Sequence, residues 1–441
     1  MNWRIPALIA GLSVALCAQE SQPKMALSLG KSIEIALAPD GNARVQLAAE
    51  AVRQARARKS QALSALLPNF DASWSARSFT QDLTTMGLQI QTPLFAIPTF
   101  IGPVDVYDLR ATATQTVFNL SVIRKFQAAS AQAAASKLDT EQARVEAAAL
   151  VGKAYVNATR AENGVATAMA NVELAERLLA LAKSQKEAGT GTGLDIVRAE
   201  VQVASEKQQL IAAKEARETS RLSLLRAMNV PLDLEVELTD PLTYVPADIP
   251  EAAKALEIAR ANRPDLKAQS GREHSAKLSY DSAAFERLPT VGAFGDYGDI
   301  GVAPGTLRPT RTIGVSVKIP IFDGGRRDAL RAEASSQLRS EAIRSHDLGK
   351  QAELEVRTAI AALRSAEEQA RVSLESVTLS TKELEQAERR YRSGVANSIE
   401  VTDAQTRLAR ARENKDMAVY RQRAARIDLA AALGDRSLIA Q

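Results

Sequence analysis

Few side chains in this 441-residue sequence have the types and spacing that catalysis requires. His274 and His346 stand on separate helical stretches, and neither has a carboxylate or a second histidine at metal-ligand spacing. The sequence contains no phosphate-binding glycine loop and no nucleophile elbow, and its single cysteine, Cys17, lies near the N-terminus. We therefore predict a protein that is not an enzyme and that binds no metal or cofactor.

The most informative group of polar side chains lies near the C-terminal end, in the sequence RYRSGVANSIEVTDAQTRLARA. Gly394 marks the end of one helix, because a left-handed residue there costs least without a side chain. Either Asn397 or Ser398 can cap the helix that follows. Glu400 and Asp403 fall in the first turn of that helix, where the helix dipole favours carboxylates. The stretch therefore predicts a tight helical hairpin with acidic side chains beside its turn.

The same hairpin occurs earlier in the chain. A shift of 205 residues places Gly394 on Gly189 and Glu400 on Asp195, and the register continues along the returning helix without a gap. A match of that length indicates an internal duplication, so the sequence predicts two similar helical hairpins.

The overall composition favours long coiled coils over a compact globular domain. Aromatic residues make up 4% of the chain and charged residues 24%, a mixture that suits the thin seams of long helices. The net charge of +4 is spread along the helices and forms no basic block with interleaved aromatic residues. Binding to nucleic acid is therefore not expected.

The first 18 residues have the pattern of a secretory signal peptide, with Arg4 followed by an apolar run and then small residues. Cys17 lies at the predicted cleavage point. Two outcomes are open: plain cleavage near Ala18, or lipid attachment to Cys17. In either case the mature chain contains no disulfide.

Four short segments change from the helical period to the alternation of a β-strand. A long loop over residues 81–106 is predicted between the first two, and a shorter, turn-rich loop between the last two. The strands are predicted near residues 69–79, 107–118, 290–297 and 311–321.

Each half of the mature chain is predicted to run helix, strand, strand, long helix, returning helix. The first long helix, over about 119–186, would reach roughly 100 Å at 1.5 Å per residue. The predicted division is a signal peptide at 1–18, a first repeat at 19–229, a linker at 230–250, a second repeat at 251–434 and a tail at 435–441.

The predicted strands have the length of tilted membrane β-strands, about ten residues. Four strands cannot close a barrel, and lipid does not tolerate open sheet edges. The chain must therefore oligomerise if these strands span a membrane. Two copies would supply eight strands around a filled interior, whereas three would supply twelve and leave room for a lumen.

The sequence resembles the TolC family of outer-membrane efflux proteins, also called outer membrane factors. The resemblance rests on the secretory start, the duplicated halves, the motifs IPIFDGGRR and RYRSGVANSIEVTDAQ, and the Leu-Pro pair before each first strand. It implies a mainly α-helical homotrimer with one shared twelve-stranded β-barrel in the outer membrane and a long helical barrel in the periplasm.

The resemblance also implies a function and partners. A member of this family is a passive exit duct for a tripartite efflux pump or a type I secretion system. It works with a periplasmic adaptor, the membrane fusion protein, and with an inner-membrane transporter of the RND or ABC type. The alternative class is a periplasmic coiled-coil adaptor or structural protein that does not span the membrane.

Two site roles follow from the family pattern at the hairpin turns. Glu400 and Asp403 match an acidic ring around the closed periplasmic aperture, and the alternative is that both only complement a helix dipole. Tyr391 matches a latch that holds the aperture closed by reaching an acidic residue on the neighbouring hairpin, here Asp195. The alternative for Tyr391 is an aromatic side chain packed in the helical seam.

Two further expectations concern the same turns. A second family tie uses an arginine where this sequence has Ala396, with its partner at Leu194, so that tie is absent. The turns themselves match positions that receive the hairpin tips of an adaptor, while their simpler reading is as ordinary helix stops. The residues predicted to contact an adaptor are Gly189, Gly394, Ser393 and Val395.

Overall fold

The computed structural model describes residues 25–87, 91–92, 95–96 and 99–439. The predicted signal peptide at 1–18, with Cys17, lies outside these residues, as do the last two residues of the predicted tail.

Two helices of nearly seventy residues dominate the described part of the chain. Each is followed by a tight turn and a returning helix about half as long, so the two halves repeat the same plan. The helices are α1 (Leu29–Leu37), α2 (Ala43–Ser64), α3 (Leu120–Glu187), α4 (Gly193–Met228), α5 (Ala252–Asn262), α6 (Pro264–Phe285), α7 (Arg326–Arg392) and α8 (Ser398–Ala432).

The strands form one large sheet and two small pairings. Strands β2, β5, β7 and β8 make an antiparallel sheet in that order, β1 pairs in parallel with β6, and β3 pairs with β4. The strands are β1 (Met25–Leu27), β2 (Asn69–Asp82), β3 (Gln91–Thr92), β4 (Phe95–Ala96), β5 (Phe100–Phe118), β6 (Val236–Leu238), β7 (Thr290–Gly301) and β8 (Arg308–Lys318).

The large sheet has two open edges and two unlike faces. Strands β2 and β8 have a sheet neighbour on one side only within the chain. One face carries exposed apolar side chains, among them Phe70, Trp74 and Ile313, which are 78%, 69% and 83% exposed. The other face carries Asp71, Asp296 and several threonines. A single copy therefore leaves both an apolar surface and two unpaired strand edges uncovered.

Three apolar clusters hold the helices together at different heights. The largest lies halfway along α3, where Tyr155 and the β1–β6 pair meet the ends of α4 and α8. The Tyr155 hydroxyl donates to the carbonyl of Leu27 at 2.9 Å and so fixes β1 against α3. A second cluster joins α5, α7 and α8, and a third joins α3, α7 and α8 near the hairpin turns.

Within the part of the chain that the structure describes, each helix is too short or too polar to serve as a membrane-crossing span.

All four strands differ from the sequence-based prediction at one end or both. Strand β7 continues to Gly301 rather than ending at 297, because it stays paired with β5 and β8 along that length. The predicted loop over 81–106 is shorter, because β2 continues to Asp82 and β5 begins at Phe100, beyond a register shift between Phe79 and Gln81. A bulge of this kind interrupts the alternation that marks a strand in sequence. Strand β8 covers Arg308–Lys318 rather than 311–321. Pro320 has no N–H for a sheet ladder, which explains why the strand ends before it.

Candidate functional site

The two hairpin turns form the candidate site. In the first hairpin, α3 ends at Glu187 and α4 begins at Gly193; in the second, α7 ends at Arg392 and α8 begins at Ser398. Gly189 and Gly394 have φ values of +77° and +72°, a left-handed conformation that an L side chain would strain. The predicted helix stops therefore have the geometry that requires glycine.

The helices that leave the turns are capped by equivalent residues. Thr192 caps α4, and Asp195 completes a capping box because its carboxylate accepts from the Thr192 N–H at 2.9 Å. Asn397 caps α8 by accepting from the Glu400 N–H at 3.2 Å. Of the two residues that the sequence allowed as caps, Asn397 therefore takes the position, and the Ser398 side chain is free for another contact.

Beside the turns, two hydrogen bonds join the first hairpin to the second. The Ser398 hydroxyl donates to Oδ1 of Asp195, across 203 residues of sequence. The Gln185 side chain donates from Nε2 to the carbonyl of Tyr391 at 2.9 Å. Asp195 also lies 3.8 Å from Arg198 Nη1 on its own helix. The Asp195 carboxylate is thus the point at which the two turns are tied.

These contacts lower the pKa of Asp195 from its ordinary value. The Ser398 hydroxyl has the largest effect, and the Thr192 side chain and N–H and the positive charge of Arg198 act in the same direction, against partial burial. Hydrogen bonds to a carboxylate favour its ionised form. Asp195 therefore remains a charged acceptor throughout the neutral range.

Tyr391 packs in the third apolar cluster, beside Leu384, Val401 and Leu408. The side chain is 6% exposed, and its hydroxyl has no hydrogen-bond partner in the described structure. Burial, with a contribution from the negative charge of Asp195, raises the pKa of the Tyr391 hydroxyl. The predicted direct bond from Tyr391 to Asp195 is therefore absent within this chain. The Ser398 hydroxyl donates to the Asp195 carboxylate instead.

The two predicted aperture carboxylates lie in different surroundings. Glu400 is 3.1 Å from Arg390 Nε, so an arginine of the preceding helix partly neutralises it. Asp403 is exposed and makes no ion pair with any described residue. Both project from the first two turns of α8 beside the hairpin turn. Asp403 is therefore the carboxylate whose negative charge is less neutralised by a neighbouring cation.

The predicted adaptor-contact residues lie at the outermost part of the turns. Val395 is 72% exposed, and Gly189, Gly394 and Ser393 are exposed beside it or at the equivalent turn. The Ser393 hydroxyl donates to the carbonyl of Arg390 at 3.0 Å, so it supports the local turn. Contact of these residues with an adaptor stays a prediction.

Sequence reasoning missed the contacts that Ser398, Gln185 and Arg390 make at the turns. One available signal was the 205-residue offset, which places Asn397 on Thr192 and thereby identifies the cap. That alignment would have left Ser398 as the uncommitted hydroxyl. The roles of Gln185 and Arg390 depend on how α3, α7 and α8 are packed, which no local pattern encodes. As for metals, the described residues contain no group of three or more side chains of metal-ligand type.

Comparison with known proteins places these turns in a recognisable fold. A family model described as outer membrane efflux protein matches residues 35–230 and 255–435. The chain is 26% identical over 307 residues to the pyoverdine export outer membrane protein OpmQ of Pseudomonas putida, with 68% of this chain covered. It is 24% identical over 320 residues to the toluene efflux pump outer membrane protein TtgC of the same species, with 69% covered.

The chain spans 64% of the length of each of these two relatives. Among solved structures, the outer-membrane channel OprN superposes with a TM-score of 0.79 at 20% identity, over 92% of this chain and 89% of the other. At this identity, the superposition shows that the two chains share a fold.

Proposed function

The chain belongs to the outer membrane efflux protein family, and from that premise we propose that it is the outer-membrane exit duct of a tripartite efflux pump or type I secretion system. In this proposal it is a passive conduit from the periplasm to the exterior. The observation that carries the proposal is the sheet β2-β5-β7-β8, which has an apolar face, a polar face and two open edges, and stands at the end of long helices.

The unpaired edges support a shared assembly. Unpaired strand edges are not tolerated in lipid, so β8 of one copy must pair with β2 of the next. Three copies supply twelve strands, enough for a barrel with a lumen rather than a filled interior. The exposed apolar face then meets lipid, the polar face meets water, and the long helices extend the tube into the periplasm.

The partners follow from the same proposal. In this proposal the duct is passive, so another protein supplies the energy for transport. We assign that role to an inner-membrane transporter of the RND or ABC type, reached through a periplasmic adaptor that contacts the turns at Gly189 and Gly394. The named relatives handle different cargoes, pyoverdine and toluene, so cargo choice is expected to lie in the transporter.

The alternative reading as a periplasmic adaptor fits the structure less well. An adaptor needs one coiled-coil hairpin, whereas this chain has two of similar length. It also has no need for a four-stranded sheet with Phe70 and Trp74 exposed on one face. Catalysis is likewise not part of the proposal, because the chemistry at the turns is limited to charge and hydrogen bonding.

Membrane fractionation tests the proposal. Cells producing the full chain are separated into soluble periplasm, inner membrane and outer membrane, and the purified protein is added to planar lipid bilayers. We expect the protein in the outer membrane and discrete conductance steps in the bilayer. Recovery in the soluble periplasm without conductance would favour the adaptor class.

A further inference from the structure

The strand hairpins β2-β5 and β7-β8 are two copies of one unit. A Leu-Pro pair precedes β2 and another precedes β7, and aligning these pairs places Asn69 on Thr290. A Phe-Asn pair stands before α3 and a Phe-Asp pair before α7, and aligning these pairs places Thr114 on Lys318. The ladders agree with both alignments, because Asn69 lies opposite Thr114 and Thr290 lies opposite Lys318. The two hairpins therefore have the same register.

The junction between β5 and β7 shows how one hairpin pairs with the next. Three consecutive opposed pairs in this junction are Thr112 with Asp296, Ala111 with Tyr297 and Arg110 with Gly298. Strands β8 and β2 are the equivalents of β5 and β7, and they are the two open edges of the sheet. The chain therefore contains a template for the way in which a second copy continues the sheet.

The template matches the faces of the sheet across the open edges. The equivalents of the three pairs, between β8 of one copy and β2 of the next, are Ser316 with Ser75, Val315 with Ala76 and Gly314 with Arg77. Ser316 and Ser75 belong to the polar face, and Val315 and Ala76 belong to the apolar face. Each face therefore continues from copy to copy, whereas a slip of one residue would join unlike faces.

An arginine opposite a glycine is a feature of the template. Arg110 on β5 crosses Gly298 on β7 and donates to Oγ1 of Thr310 on β8 at 3.2 Å. A side chain at Gly298 would begin 2.7 Å from the Arg110 Cα, so this close approach requires glycine.

The same two residue types meet at the open edges with their strands exchanged. Gly314 is the position on the polar face of β8 that has no side chain, and the template places Arg77 of the next copy opposite it. A slip of two residues would set Arg77 against Thr312 or Ser316 instead. The Phe294 ring covers Gly314, with its Cζ 2.6 Å from the place of a Cβ, so an arginine that crosses this glycine meets an aromatic ring.

We propose that β8 of one copy pairs with β2 of the next in the register of the β5–β7 junction, with Ser316 opposite Ser75. The occupant of both open edges is then a second copy of this chain, and the backbone groups of both edge strands find partners. The inference rests on the proposed function, which supplies the shared sheet, and it adds the residue-by-residue pairing between copies.

Disulfide trapping tests this register. The variant Ser75→Cys with Ser316→Cys is oxidised in outer-membrane fractions and run on a denaturing gel without reductant. Within one chain the two positions lie at opposite edges of the sheet, at least three strand spacings or about 14 Å apart, beyond the ~7 Å between Cα atoms that a disulfide allows. The band should shift from one chain to three, because each copy is bonded to both neighbours, and reductant should reverse the shift.

Matched variants separate this register from its neighbours. Ser73→Cys with Ser316→Cys moves one cysteine by two residues on the same face, to a diagonal pair with Cα atoms roughly 7–8 Å apart, and should give several-fold less covalent trimer. Ala76→Cys with Val315→Cys is the next step of the ladder, where hydrogen-bonded and non-hydrogen-bonded pairs alternate, and should also be trapped. Each single-cysteine variant should stay one chain, which checks for linkage through Cys17.

The outcomes are distinct. Stronger trapping of Ser73→Cys than of Ser75→Cys with Ser316→Cys overturns the register while the shared barrel stands. Failure of both the Ser75 and the Ala76 pairs, in a protein whose native mass in mild detergent is that of three chains, overturns the register as well. A monomeric native mass overturns the proposed assembly, and this inference falls with it.

Discussion

The Ser398 hydroxyl donates to the Asp195 carboxylate and so joins the turn of one helical hairpin to the turn of the other. Ser398 is available because Asn397 takes the capping position of its helix, and Asp195 is fixed by its own capping box with Thr192. The bond is charge-assisted, which makes it stronger than a neutral hydrogen bond. If the chain is the proposed duct, this contact resists the separation of the two turns on opening.

We expect Ser398→Ala to favour the open aperture. It removes a bond worth about 1.5–3 kcal/mol when sheltered from water, and the assembly would repeat that loss in every copy. The conductance of the isolated protein in planar bilayers should rise. Asp195→Ala should add little to Ser398→Ala, since both remove one interaction.

Tyr391→Phe provides the matched control. It removes a hydroxyl that has no hydrogen-bond partner in the described structure, while the ring stays in the apolar cluster. Its conductance should stay near that of the unmodified protein. A larger rise for Tyr391→Phe than for Ser398→Ala would restore the direct Tyr391–Asp195 latch that the family resemblance implied.

Acid should break the hydrogen bond between Ser398 and Asp195. The pKa of Asp195 is lowered, mainly by the Ser398 hydroxyl, so the tie is fully present above the ordinary aspartate pKa of about 3.9. It is lost as the pH falls through the lowered value in the folded protein. Conductance of the isolated protein should therefore rise as the pH falls below about 4. Asp195→Ala should be more conductive at neutral pH and lack this step; an identical acid response in that variant would assign the step to other groups.

The carboxylates at the aperture should contribute unequally to block by polyvalent cations. Glu400 Oε1 lies 3.1 Å from Arg390 Nε, so the arginine partly neutralises its charge. Asp403 is exposed and has no ion pair in the described structure. Asp403→Ala should weaken block in single-channel recordings more than Glu400→Ala does. Arg390→Ala should strengthen it, because Glu400 is then uncompensated. Block that survives removal of both carboxylates would place the cation site elsewhere.

A buried carboxyl in α4 should lower stability at neutral pH. Glu206 is 2% exposed, accepts from Gln202 Nε2 at 2.7 Å, and has a second oxygen without a partner in the described structure. Burial raises the pKa of Glu206 against the opposing effect of Gln202, so the folded protein disfavours the charged form. Stability is therefore lost as the pH rises from the ordinary glutamate range.

Glu206→Gln should raise the midpoint of thermal unfolding, followed by far-UV circular dichroism, by an amount equivalent to roughly 1 kcal/mol at pH 8. The gain should shrink as the pH is lowered toward the ordinary glutamate pKa of about 4.3. Glu200→Gln, at an exposed position on the same helix, should change little at either pH. A gain that does not depend on pH would show that charge burial is not its cause.

The sequence predicted the features that local rules control. The family membership and the mainly helical fold are confirmed by the family model and the solved relatives, and they could be predicted because heptad spacing, Gly189, Gly394 and the duplication are local signals. The limits of all four strands were wrong at one end or both, because pairing across strands, a register shift and Pro320 decided the ends of the ladder.

The site was predicted less completely, for a physical reason. The sequence identified Asp195 and Tyr391 as neighbours but not which hydroxyl reaches the carboxylate. That choice depends on how α8 is rotated against α4, and a rotation of one residue position exchanges Ser398 for its neighbour. The unequal surroundings of Glu400 and Asp403 depend in the same way on Arg390, which projects from α7.

Because β2 and β8 are open edges in a single chain, we expect three copies to close one membrane sheet. The most direct measurement is the native mass of the protein extracted from outer membranes in mild detergent. We expect a single species of three chains. A monodisperse monomer or dimer would contradict it.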